Sequence, residues 1–113
     1  MRYFLVKFGP GPAWQKDADV YGQALDGHLE YINLLYSVGI VLMAGPFADG
    51  SGGMTIVQFA SLAEAETLMA ADPAVRDGVL RPDIREWRPI AWGFEPGTRT
   101  PYEDGLLTIT RQS

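Results

Sequence analysis

Between Asp17 and Gly39 the chain carries apolar side chains at Tyr21, Leu25, Leu29, Ile32 and Leu35/Tyr36. These steps of three and four put them on one face of a helix. The spacing predicts a single amphipathic helix over the whole stretch, capped by Asp17 or Asp19 and stopped by Gly39, which takes the left-handed C-terminal conformation without a Cβ penalty. Such a helix must lay its stripe on another element. The only histidine of the sequence, His28, falls on that stripe between Leu25 and Ile32. An imidazole there either packs or does chemistry, and the pattern alone leaves both readings open.

The surface to pack against is written in the flanking strands. Residues 2–8 alternate, with Phe4, Val6 and Phe8 facing one way and Tyr3, Leu5 and Lys7 the other, the period of a strand. Gly9-Pro10-Gly11-Pro12 stops it and opens a long connection through Trp14. Ile40 to Ala44 reads as a second strand and Ala48 to Gly53 as a hairpin loop. No helix of P-loop spacing follows that loop, so a phosphate cradle is the weaker reading. Met54 to Ala60 is a third strand. Ser61-Leu62-Ala63-Glu64 fits a capping box, and the helix after it is expected to bury Leu62, Ala65, Leu68 and Met69. It ends near Asp72, because Pro73 disfavours helical geometry in the residue before it. Asp72 can then cap a short turn with Pro73 in its first position, closed by Gly78. Val79 to Ile90 is a fourth strand, and Pro82 within it calls for a sheet edge or a bulge. Residues 91–113 form an extension with a short strand expected at Leu106–Thr110.

The order β-α-β-β-α-β is the ferredoxin-like arrangement, an α+β fold with two helices on one face of a four-stranded antiparallel sheet. Strands one to three are apolar on both faces, so the second face needs a cover. A homodimer packed through the open sheet face supplies one, and the extension can supply part of it. The expected organisation is one domain over 1–90 and a C-terminal extension over 91–113.

Composition removes several classes of function. The net charge of −5 would repel a phosphate backbone, so no nucleic-acid partner is expected. With no cysteine and one histidine, thiolate catalysis, disulfides and a Cys- or His-rich metal site within one chain are excluded. No apolar run approaches the roughly 20 residues of a membrane span, and the N-terminal stretch breaks too early for a signal peptide. A cytoplasmic protein with no membrane partner is expected. No dinucleotide fingerprint is present, and no cofactor is expected.

Among polar candidates, Asp17 and Asp19 read as caps, Asp26 and Glu30 as a solvated face, Glu64 and Glu66 as capping or surface residues. Asp83, Arg85, Glu86 and Arg88 alternate charge along the last strand and blunt an edge. Trp14, Tyr36, Phe47 and Trp87 can wall an apolar pocket, although core packing also accounts for them. Arg81 or Arg85 can bind a carboxylate ligand.

From Tyr3 to about Pro89 the sequence resembles the YciI-like (YCII-related) domain family. The resemblance is carried by the opening strand, His28 in the first helix, the strand-ending Ala44-Gly45-Pro46, the capped Ser61-Leu62-Ala63-Glu64-Ala65, and Asp72-Pro73 followed by Gly78. It implies a dimeric α+β barrel and a His-Asp pair in a cleft, which falls on His28 and Asp72. A dehydrochlorinase of a chlorinated hydroxyquinol belongs to that family. The long Gly-Pro-rich first loop and the C-terminal extension depart from its short members. In such a pair Asp72 orients the imidazole and stabilises its protonated form, and His28 is the general acid or base. The resemblance thus implies catalytic His28 and Asp72, and the reading of the residues themselves adds Trp14, Tyr36, Phe47 and Arg81 as candidate substrate-binding residues. Three functions follow: a small cofactor-independent enzyme acting by proton transfer on a small apolar or aromatic molecule, a small-molecule-binding or regulatory module without catalysis, and a purely structural dimer.

Overall fold

The computed structural model describes residues 1–91 and 93. Four strands form one antiparallel sheet: β1 (Arg2–Pro10), β2 (Val41–Pro46), β3 (Gly53–Phe59) and β4 (Leu80–Trp87). They lie in the order β2-β3-β1-β4, the order of the ferredoxin-like fold. β2 and β4 are the edges, as the Pro82 argument requires. Pro82 stands opposite Phe8 in an unbroken register, and the sheet's irregularity lies instead in β2, between Val41 and Met43.

Alternation sends Phe4, Val6 and Phe8 of β1 and Thr55, Val57 and Phe59 of β3 to one face, where all six are buried. Onto this face pack α1 (Asp26–Ser37), α2 (Leu62–Ala70) and the single turn α3 (Pro73–Arg76). They contribute Ile32 and Leu35, Ala65 and Met69, and Ala74 to the core. Burying a side chain of this size is worth roughly 1.5–3 kcal/mol, so this face carries the stability of the domain.

The first helix is shorter than its sequence pattern. It starts at Asp26 rather than Asp17. Asp19 caps only a 3-10 turn over Val20–Gly22, its carboxylate accepting from the Tyr21 N–H, and the chain then goes extended at Gln23. Gln23 is the reason. Its buried side chain accepts from the Gln15 N–H and donates to the carbonyls of Gln15, Ala18 and Asp19. It therefore supplies the loop with hydrogen bonds that a helix would otherwise have made. The other end follows expectation, with Gly39 at φ +86° and Gln58 donating to its carbonyl.

At the second helix, Ser61 Oγ accepts from the Glu64 N–H, while Glu64 reaches one residue past the cap, to the Ala60 N–H. Ala65 and Met69 are buried as expected, Leu68 is only partly so, and Leu62 is exposed. The fourth strand ends at Trp87 rather than Ile90. The opposite sheet face carries Leu5, Met43, Met54, Ile56 and Trp87 beside Lys7, Asp83 and Arg85. No helix among the described residues is long and apolar enough to cross a membrane. The strand expected at Leu106–Thr110 lies outside the described residues.

Candidate functional site

Asp72 sits where α2 has ended and α3 begins. Its backbone is extended, and its Oδ1 accepts from the Ala74 N–H at 2.9 Å, so it is the cap that the Asp-Pro sequence predicts. The second carboxylate oxygen is left over, and Asp72 is completely buried. A buried ionised oxygen without a donor is expensive. The donor comes from α1: His28 Nδ1 lies 2.5 Å from Asp72 Oδ2. An ionised carboxylate can only accept, so Nδ1 carries the proton.

Three contacts set this geometry. Gly27, the residue before His28, faces Pro73 so closely that a Cβ there would lie 3.1 Å from the proline Cβ. Its bare backbone lets the first turn of α1 approach α3. On the sheet side, Phe8 meets the imidazole edge-on, with ring centroids 5.0 Å apart at 76°. One turn further along α1, Tyr31 donates to the Leu68 carbonyl of α2. Burial, and secondarily the negative charge of Asp72, push the Tyr31 phenol above its usual pKa, which keeps it a neutral donor.

With Nδ1 held, Nε2 has no partner among the described residues, and the ring borders a cavity of about 440 Å³. That size suits a small organic ligand. Three elements enclose it: α1 from above; the 3-10 turn and the chain after it, at Val20, Tyr21 and Leu25; and the sheet below. The sheet floor is low because Gly53 stands opposite Phe8 and Ala44 opposite Thr55. Most of the lining is apolar. Tyr21 and Leu29, on the predicted helix stripe, are 76% and 57% exposed, and both border this cavity rather than the core.

The structure therefore brings His28 and Asp72 together but leaves the expected substrate-binding residues elsewhere. None of Trp14, Tyr36, Phe47 and Arg81 borders the cavity. Trp14 and Tyr36 pack against the core. Phe47 exchanges backbone hydrogen bonds across the turn between β2 and β3. Arg81 alternates with Leu80, and since Leu80 points to the cavity, Arg81 faces the other side of the sheet, opposite Gly9. Among the described residues no group of three or more His, Asp or Glu side chains is placed to hold a metal ion.

Residues 3–88 match the model of the YCII-related domain. The chain belongs to that family. A relative, the uncharacterised protein YjpA of Bacillus subtilis (strain 168), is 37% identical over 62 residues, which cover 55% of this chain and 73% of YjpA. The fold is also that of the 5-chloro-2-hydroxyhydroquinone dehydrochlorinase TftG from Burkholderia phenoliruptrix AC1100, solved in complex with 2,5-dihydroxybenzoquinone. The TM-score is 0.58 at 19% identity, covering 76% of this chain and 93% of TftG. For this YCII-related domain, sequence reasoning missed Phe8, Gln23, Leu29 and Thr55 as parts of the site. Leu29 and Phe8 carried only the apolar signal of core residues. Gln23 had a signal of its own, a polar residue inside an otherwise helical stripe.

Proposed function

We propose that this YCII-related protein is a small enzyme that uses the His28–Asp72 pair, without a cofactor, to move a proton on a small apolar or aromatic molecule. The carrying observation is the buried carboxylate on Nδ1 beside a largely apolar cavity, with Nε2 the nitrogen left for a ligand. In an elimination, Nε2 takes a proton from carbon. The released electron pair forms the double bond, and the leaving group departs with its own bonding pair. Asp72 stabilises the imidazolium until Nε2 returns the proton to the leaving group or to water. Isomerisation and hydrolysis can use the same proton transfer. The dehydrochlorinase activity of TftG supports this class of substrate.

The functional unit is residues 1–90, with 91–113 as an extension, in keeping with the span of the family match. It is a homodimer joined through the open sheet face, where Met43 and Trp87 are 57% and 42% exposed. Chloride release from chlorinated hydroquinones, measured beside a panel of ring substrates, tests the reaction. The expected result is turnover by the wild type that falls at least about 100-fold in His28→Gln with the fold intact. Turnover that survives His28→Gln overturns the proposal. Sedimentation of wild type and Ile56→Lys tests the dimer, which the lysine should dissociate.

A further inference from the structure

Thr55 lies in the middle of β3, opposite Val6 of β1 and Ala44 of β2. It is 2% exposed and borders the cavity, yet its hydroxyl makes no hydrogen bond to any described residue. A buried polar group left unpaired is a cost that folding alone does not explain. Valine, of nearly the same shape, would fit the surroundings better. The position has a geometric counterpart. Thr55 is the diagonal neighbour of Phe8, whose partner across the strands is Gly53, and such neighbours lie roughly 7–8 Å apart. The Phe8 ring touches His28. Thr55 and His28 therefore both line the one cavity, with Phe8 beside each of them.

The charges around that space add a second constraint. No Lys or Arg among the described residues borders it, whereas the acidic, exposed Asp26 does. A carboxylate ligand would enter with no Lys or Arg to pair it and with Asp26 at the wall.

We propose that Thr55 is a substrate-binding residue that hydrogen-bonds an oxygen of an uncharged hydroxylated ring compound, and that the cavity rejects the same ring bearing a carboxylate. This deepens the enzyme reading above and rests on His28 facing the ligand. Because Thr55 can both donate and accept, it serves a phenolic hydroxyl or a ring carbonyl equally.

The test uses the full chain and the ring signal of its one histidine. Hydroquinone and 2,5-dihydroxybenzoate are titrated into wild type, Thr55→Val and Thr55→Ser. Hydroquinone should move the His28 signal and bind roughly tenfold more weakly to Thr55→Val, with affinity recovering in Thr55→Ser. The benzoate should bind at least about tenfold more weakly than hydroquinone to the wild type. Ligand-free Thr55→Val should melt higher than wild type, since it removes the unpaired group. Equal hydroquinone affinity in wild type and Thr55→Val overturns the role of Thr55 and leaves the His28 chemistry standing. Benzoate binding as tightly as hydroquinone overturns the selection by charge. If neither compound moves the His28 signal, the enzyme reading and this inference fall together.

Discussion

Replacing Asp72 with asparagine changes one oxygen to an amide nitrogen and should reverse the tautomer of His28. In the wild type Oδ1 holds the Ala74 N–H and Oδ2 faces Nδ1. Asparagine has one oxygen, and the cap needs it, because Ala74 offers only a donor. The NH₂ group then faces Nδ1, which must present its lone pair, and the ring proton moves to Nε2. The nitrogen left for a ligand turns from an acceptor into a donor, so the proposed general-base role would be lost although every heavy atom keeps its place. A charge-assisted hydrogen bond is exchanged for a neutral one, at a cost of about 1 kcal/mol. Asp72→Ala is harsher. It removes the cap, worth about 1 kcal/mol, and strands the Nδ1 proton in a side chain only 13% exposed, costing about 1–3 kcal/mol more. Relief of the buried charge offsets part of this, leaving a net loss of about 2 kcal/mol, or roughly 8–16 °C in Tm for a domain of this size. Nitrogen NMR of the neutral ring reads the tautomer directly, and thermal unfolding reads the stability. If Asp72→Asn keeps the wild-type tautomer, or Asp72→Ala costs no more than the roughly 0.5 kcal/mol of a surface change, the carboxylate does not orient the imidazole.

Tyr31→Phe should cost about 1 kcal/mol at neutral pH through its lost bond to Leu68, seen in denaturant unfolding. Because the Tyr31 pKa is raised in the fold, its stabilisation is present below the unfolded value of 10.0 and fades as pH rises through the folded one. Wild type should therefore lose more stability than Tyr31→Phe above about pH 10, and parallel alkaline curves would contradict the assignment. Gln23→Ala removes four hydrogen bonds from the loop and should cost about 1–3 kcal/mol. Faster amide exchange at Gln15 is the readout, and unchanged exchange would mean that the loop holds itself. Gly27→Ala gains about 1 kcal/mol in helix propensity but meets Pro73 at 3.1 Å. It should fail to stabilise the protein and should shift the His28 signal, whereas a full gain with an unmoved signal would show that the approach of α1 to α3 is not tight.

Most of the fold is legible in the sequence because period carries it. Alternation at Phe4, Val6 and Phe8, the Ser61 cap, the Asp72-Pro73 restart and Pro82 at an edge are each local rules that tertiary structure obeyed. The start of α1 was hidden because Gln23 satisfies backbone groups across eight residues, an interaction that no helical period encodes. The closeness of His28 and Asp72, 44 residues apart, came from family resemblance, since spacing does not relate residues on different elements. The cavity wall was illegible for a physical reason: Leu29 and Tyr21 show the same apolar signal whether they meet a core or a ligand. Arg81 faces away from the cavity because strand alternation gives the inner face to its neighbour Leu80.

The wall over the cavity and the His28–Asp72 pair hang on different supports. His28 and Asp72 are fixed by α1, α3 and the core, whereas Tyr21 is an exposed residue of a loop held by the Gln23 side chain, by backbone bonds from Ala13 to Gly78 and from Val20 to Gly50, and by Trp14 on the core. The cavity wall at exposed Tyr21 can therefore be recut around an intact Gln23 without touching the His28–Asp72 pair. A library confined to the exposed positions of that loop should yield folded variants whose cavity wall differs while the His28–Asp72 hydrogen bond is kept.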